Sequence, residues 1–247
     1  MNRTLWRNYY PGFPILPCPR CNKLSLKTDR ESKRILIPVH EEKRREKPDT
    51  SIFEWTARFQ CFLVCEEPRC GEVVSVSGAV DYEEYDDREE DVFHIFETLR
   101  PMSMYPAPPI IAVSRKLSKE ARGHLIASFG LIWPDPASCA NRIRVFIEQL
   151  LVDFGVAPTR IDSKGKEVKR TLPERIEDLE ATMPGHKSTF DALRKVGNIG
   201  SHEGRLKFET ALDAYEILEV ALEDLVDGRR ARLDALKQKL SGDPAKL

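Results

Sequence analysis

Trp55, Ala57, Phe59, Cys61 and Leu63 fall on one face at period two, so residues 53–64 predict a half-buried β-strand. Ile35–His40 predicts an earlier strand and Glu72–Gly78 a later one, with the charged stretch Glu41–Asp49 joining the first two. From Ile110 onward the period becomes that of a helix. Ser118 can cap a helix through about Phe129, and Trp133-Pro134 then breaks the chain. Asp135-Pro136 supplies an N-cap acid and a proline at the first helical position. It opens a helix on which Ile143, Phe146, Ile147, Leu150, Leu151 and Phe154 recur before Gly155. Thr171-Leu172-Pro173-Glu174 has the form of a capping box, with Ile176, Leu179 and Met183 on the inner face of its helix. Lys187–Val196 predicts a further helix carrying Phe190, Leu193 and Val196. The last starts near Lys207, shows Phe208, Leu212, Tyr215, Leu218, Leu222 and Leu225 on one side, and breaks near Gly228 into Arg229–Arg232. The class is α+β: a small β module over 1–80, then an all-α bundle of about five helices over 111–247.

The chain has 247 residues, 41% of them apolar and 32% charged, enough to bury a core beneath a solvated surface. No apolar run is long enough to span a membrane, and the first residues have no apolar export signal, so a cytoplasmic protein is expected. The net charge of −1 hides a partition. Residues 1–80 carry +4, residues 81–91 carry −7 and residues 92–247 carry +2. The acidic run is followed by four prolines between Arg100 and Pro109, and 81–110 predicts a semi-rigid connector.

Six cysteines without an export signal point to thiols that bind metal rather than form disulfides. Cys18-Pro19-Arg20-Cys21 and Cys65–Cys70 form a C-x2-C and a C-x4-C pair, the second followed by Gly71, which suits a left-handed turn. Two loops supplying two thiolates each can enclose one structural Zn²⁺, and a small sheet holding one such ion over residues 1–80 is a zinc ribbon in outline. Cys61 also lies near Cys65, but it shares the apolar face of its strand and reads as a core thiol, as does Cys139 on its helix.

The segment Arg194–Gly204 contains glycines at 197, 200 and 204, each unfavourable inside a helix by about 1 kcal/mol. Close backbone approach is the usual reason to accept that cost. Arg194, Asn198 and His202 are spaced four apart and share a helical face. Together they can bind a phosphate and move a proton near neutral pH. A purely structural role is the alternative, with Arg194 paired to an acid such as Glu148.

Ser138–Leu151, Leu193–Gly204 and the preceding cysteine module together resemble the bacterial family known as domain of unknown function 4145, over roughly residues 118–226. The resemblance implies an arginine and a glutamate on the first long helix, matching Arg144 and Glu148. It also implies a Gly-Asn and His-Glu signature, matching Gly197, Asn198, His202 and Glu203. That family is similar to the HEPN helical bundles, which implies ribonucleases or inactive binding modules in phage-defence systems, often homodimers. Their Arg-to-His spacing is four to six residues, whereas seven separate Arg194 from His202.

The expected function is a zinc-binding, nucleic-acid-associated binding and dimerisation module linked to defence or restriction, rather than an enzyme. Arg3, Arg7, Arg20, Lys23, Lys27, Arg30, Lys33 and Arg34, interleaved with Trp6, Tyr9, Tyr10 and Phe13, offer cations for phosphates and rings for bases of RNA or DNA. One alternative is a metal-independent HEPN-type ribonuclease using Arg194, Asn198 and His202. Another is a regulatory subunit that docks a larger effector.

Overall fold

A computed structural model describes residues 1–47, 49–87 and 92–241, and the side chains of 84–87, 92–94 and 200–203 lie outside that description. The chain divides into two compact units. One is β-rich, comprising Asn2–Ile110 with Phe129–Asp135; the other is helical, comprising Met1, Ile111–Ser128 and Pro136–Leu247.

The β unit is one antiparallel sheet in the order β1-β2-β3-β4-β5. Its strands are β1 (Leu16–Pro17), β2 (Leu24–Leu36), β3 (Ala57–Cys65), β4 (Val73–Asp87) and β5 (Val92–Tyr105). The alternation read from 53–64 is realised on β3. Ala57, Phe59, Cys61, Leu63 and Cys65 are buried while Arg58, Gln60 and Phe62 are exposed. Leu16, Leu26, Val74, Val76, Val80, Leu99 and Met104 complete that core. Trp6, Tyr10 and Trp133 are buried in it as well, rather than presented as surface rings. Tyr10 bridges to Leu99 through two backbone hydrogen bonds of 2.9 and 2.7 Å, and burial pushes its phenol up to about 12.

Two expectations fail here. Residues 35–40 do not continue as strand: β2 ends at Leu36, and helix α1 (Val39–Arg45) follows Pro38. Residues 81–110 are not a connector, because the described part of the acidic run extends β4, and β5 pairs with it from Asp87↔Val92 to Ser75↔Tyr105. Backbone pairing with a neighbouring strand outweighs like-charge repulsion spread along one strand. Pro101 is accepted because β5 lies at the edge of the sheet, beside a break in register between Ser77 and Gly78. Residues 88–91 lie outside the described residues.

The helical unit contains α2 (Lys119–Phe129), α3 (Pro136–Asp153), α4 (Leu172–Thr182), α5 (Lys187–Glu203), α6 (Phe208–Leu225) and α7 (Arg229–Leu240). Among the described residues that is one helix more than the periodicity predicts, because Gly228 in the left-handed region (φ 70°) separates α7 from α6. The capping box at α4 is present in full, with the Thr171 side chain accepting from the Glu174 amide and the Glu174 carboxylate accepting from the Thr171 amide. A two-stranded hairpin, β6 (Thr159–Ile161) and β7 (Glu167–Lys169), joins α3 to α4 and is too short to leave a pattern in the sequence. The core packs Ile143, Phe146, Ile147 and Leu150 of α3 with Phe190 and Leu193 of α5 and Leu212, Tyr215 and Leu218 of α6. Full burial of each such side chain contributes about 1.5–3 kcal/mol. Tyr215 donates to the Ser128 hydroxyl (2.7 Å), which donates to the Leu125 carbonyl (2.6 Å), so the one phenol in this core is satisfied.

The predicted helix 187–196 runs on to Glu203, straight through Gly197 and Gly200. Gly197 is buried against α3: a Cβ there would lie 2.7 Å from the Arg144 Cβ and 3.1 Å from the Ala140 carbonyl oxygen. The glycine is thus a packing device that lets α5 approach α3. Gly197→Ala gains about 1 kcal/mol in helix propensity. The overlap costs about 1–3 kcal/mol. Urea unfolding followed by helical circular dichroism should therefore show a net loss of stability; a midpoint at or above that of the parent would show that the helices are free to separate.

Candidate metal centre and basic cavity

Two turns at one end of the β sheet carry the cysteine pairs. Cys18 and Cys21 lie between β1 and β2. Cys65 ends β3, and Cys70 sits in the turn before β4. The register Leu16↔Leu26 and Leu26↔Cys65 brings these turns side by side. Each turn is tied by its own backbone: Cys18 exchanges hydrogen bonds with Lys23 and Asn22, and Cys65 donates to Glu72. Asn22 (φ 58°) and Gly71 (φ 57°) supply the left-handed residues that reverse the chain.

The four sulfurs lie within 4.8 Å of one another. The Cys18–Cys70 and Cys21–Cys65 sulfurs are each 3.7 Å apart. An ion bound tetrahedrally with metal–sulfur bonds of about 2.3 Å needs sulfur–sulfur edges of about 3.8 Å, so the donor set fits a single metal ion. Backbone amides already point at the sulfurs: those of Arg20 and Cys21 at Cys18, Glu67 at Cys65 and Glu72 at Cys70. The Ser25 hydroxyl lies 3.0 Å from the Cys65 sulfur. Burial raises the Cys65 thiol, but the Ser25 hydroxyl and the Glu67 amide outweigh it and hold the group at about 7. Burial pushes Cys18 up to about 12. Cys61 lies on the core side of β3, pushed up to about 11 by burial, and Cys139 is buried in the helical unit beside the Tyr215 hydroxyl at 3.2 Å. Both occupy the core, as their apolar faces predict.

The second site belongs to the helical unit. Arg144 and Glu148 of α3, Arg194 and Asn198 of α5, and Lys169, Arg170 and Arg175 around the start of α4 line one cavity of about 580 Å³. Three of its guanidiniums have carboxylate partners: Arg144 with Glu148 (3.1 Å), Arg170 with Asp178 (2.5 Å) and Arg194 with Asp191 (3.2 Å). Glu148 is therefore taken by Arg144, its neighbour one turn away, and not by Arg194. Arg175 is 5% exposed and donates to the carbonyls of Glu148 (2.8 Å) and Val156 (3.2 Å). Burial lowers its pKa. The Nε atoms of Arg144 and Arg175 are buried with no hydrogen-bond partner among the described residues.

Arg194 and Asn198 are thus brought to one wall, opposite Arg144 and Glu148. The side chains of His202 and Glu203 lie outside the described residues. Lys169, Arg170 and Arg175 went unrecognised in the sequence, because nothing local distinguishes a cation on a short hairpin or a first helical turn from an ordinary surface charge. The N-terminal basic set is partly neutralised. Lys23 pairs with Glu67 (2.6 Å) and Lys27 with Glu66 (3.0 Å).

Among the described residues no helix is long and apolar enough to cross a membrane. No curated protein and no solved structure matches the chain. Two families do: residues 6–102, in the β unit, match Domain of unknown function (DUF8608), and residues 127–242, spanning nearly all of the helical region, match Domain of unknown function (DUF4145).

Proposed function

We propose that this is a zinc-binding bacterial protein that associates with nucleic acid, its helical unit taking a phosphate group into the basic cavity. The observation that carries this reading is the convergence of four guanidiniums, an ammonium and one amide on a cavity that, among the described residues, a single carboxylate lines. Guanidinium forks match phosphate oxygens two at a time. Zinc is the metal assigned to the thiol tetrad, since four thiolates in a tetrahedron are its usual structural environment and ionised sulfur suits it better than magnesium or calcium. The HEPN kinship that the resemblance of Ser138–Leu151 and Leu193–Gly204 implies would place this protein beside defence or restriction machinery.

A second reading, a metal-independent ribonuclease, is favoured by Arg194 and Asn198 lining the same cavity. In it, His202, one turn further along α5, exchanges the proton of a 2′-hydroxyl while Arg194 stabilises the charged phosphorane.

Purified protein should contain one zinc per chain by elemental analysis, and Cys21→Ser/Cys70→Ser should contain none. Metal binding requires thiolates, so protons compete with the ion, and chelator-detected release should rise as the pH falls below about 6. Metal retained by the double variant would remove the tetrad assignment. In fluorescence anisotropy at low salt, Arg144→Ala/Arg194→Ala should weaken binding of labelled RNA or DNA about tenfold and flatten its salt dependence. Unchanged affinity would remove the cavity from nucleic-acid contact. His202→Ala should abolish RNA cleavage if the second reading holds; cleavage that survives it, or none by the parent, ends that reading.

A further inference from the structure

The exposed face of the β sheet carries chemistry that the metal centre and the helical cavity do not use. Strand parity that sends Phe59 and Cys61 inward sends Arg58, Gln60 and Phe62 outward. Register then extends those residues into rows across the sheet. Arg58 pairs with Leu36 and Ala79, and Ala79 with Arg100. Gln60 pairs with Arg34 and Ser77. Phe62 pairs with Ser75, and Ser75 with Tyr105. Successive rows on one face are about 7 Å apart, and the span from β2 to β5 is about 14 Å.

A cavity of about 690 Å³ opens on this face beside Arg34, Arg58 and Arg100. A smaller one of about 230 Å³ adjoins it, sharing Gln60 and Ser77 and reaching Phe62 and Ser75. No carboxylate lines either. Among the described residues, Arg34 and Arg58 donate only to backbone carbonyls, of Glu31 and Lys33 and of Ala57 respectively. Arg100 is held by Asp81 at 3.0 and 3.3 Å. Two guanidiniums therefore lack a counter-charge on an open surface, and two rings stand exposed one or two rows away, Phe62 at 46% and Tyr105 at 75%.

We infer that this face binds single-stranded nucleic acid, with Arg34 and Arg58 on its phosphates and Phe62 and Tyr105 stacked on its bases. The inference takes the ligand class from the proposed function but does not depend on the helical cavity. Cations beside flat rings, with a hydroxyl and an amide between them, are the set that a single strand uses: charge for the backbone, π faces for unstacked bases. A duplex hides its base faces and could engage only the arginines. An acidic peptide would likewise use the cations and leave the rings idle.

The test is anisotropy with a labelled oligo-thymidine or oligo-uridine of about 16 nucleotides, titrated against the full chain at several salt concentrations. Arg34→Ala/Arg58→Ala should lower affinity at least tenfold and reduce the slope of log K against log salt by about 1.4. Tyr105→Ala should weaken binding by about tenfold with the slope unchanged, and Arg34→Lys/Arg58→Lys should keep the parental slope. Each variant's metal content and circular dichroism check that it is folded. Parental affinity in both alanine variants overturns the inference, as does failure of the intact protein to bind either single strand. If Arg144→Ala/Arg194→Ala abolishes binding while the sheet variants retain it, the sheet site falls and the helical cavity stands; the reverse result keeps the sheet and removes the cavity. Poly-glutamate competing as effectively as oligo-thymidine would replace the ligand class and so also overturn the inference.

Discussion

The alternation of side chains along β3 is the constraint on which the β unit depends. A strand turns neighbouring residues to opposite faces, so a single choice of parity fixes every position from Ala57 to Cys65. The inward parity gives Phe59, Cys61 and Leu63 to the core and delivers Cys65, the last of the series, to the turn where the other three sulfurs gather. The outward parity gives Arg58, Gln60 and Phe62 to the open face. Slipping β3 by one residue would bury a guanidinium, expose two large apolar side chains and swing Cys65 away from Cys21. Core, metal centre and surface chemistry are thus alternative views of one register, and a four-thiolate ion bound across two turns would in turn forbid the slip. A module this poor in apolar layers gains from that, because metal binding energy becomes folding energy.

The helical unit obtains its site by a different route. Nothing in α3 or α5 alone makes a cavity; their close approach does, and Gly197 permits it by offering no side chain where the Arg144 Cβ passes. With the axes that near, Arg144 and Glu148 face Arg194 and Asn198, and the segment from Lys169 to Arg175 closes one end. Arg175 helps to hold that segment, because its guanidinium serves carbonyls of Glu148 and Val156 at the C-terminal end of α3. The first of these carbonyls lies in the last turns of α3 and the second just beyond its end, so a buried cation there meets the negative end of the helix dipole.

Much of this was legible in the sequence wherever one periodic signal decided the outcome. The C-x2-C and C-x4-C spacing identified Cys18, Cys21, Cys65 and Cys70, the four residues that the fold brings together, and the apolar face of β3 correctly kept Cys61 out of the set. The capping box and the proline-led start of α3 located two helices to within a residue. Failures fell where tertiary pairing overrode local preference. Acidic residues and prolines read as a connector because neither favours a strand, yet β4 supplies pairing partners along nearly the whole of β5. Trp6 and Tyr10 read as surface rings among cations, but a half-built core needed them more. Gly197 points in the sequence to close backbone approach, which its packing on α3 bears out, whereas the helix expected to end at Val196 runs on to Glu203 because its pairing with α3 outweighs the propensity cost.

Net charge would also have misled if taken as a guide to ligands. A formal −1 describes the sum over the chain, whereas a phosphate within a few ångströms of a guanidinium responds to that group and its immediate partners. What separates a site from a neutral surface is how each cation is satisfied. Lys23 and Lys27 have carboxylates within 3.0 Å and present little field of their own. Arg34 and Arg58 have carbonyl partners, which orient a guanidinium without cancelling its charge. Arg175 goes further: it is buried, held by carbonyls on one edge and left with a bare Nε on another. Packing alone does not require that arrangement, since an apolar residue of similar volume would avoid the desolvation of a charge at the same position. The cations whose charge is oriented but not neutralised are Arg34 and Arg58 on the sheet face and Arg175 in the lining of the helical cavity, and of these the two on the sheet stand exposed to an incoming anion.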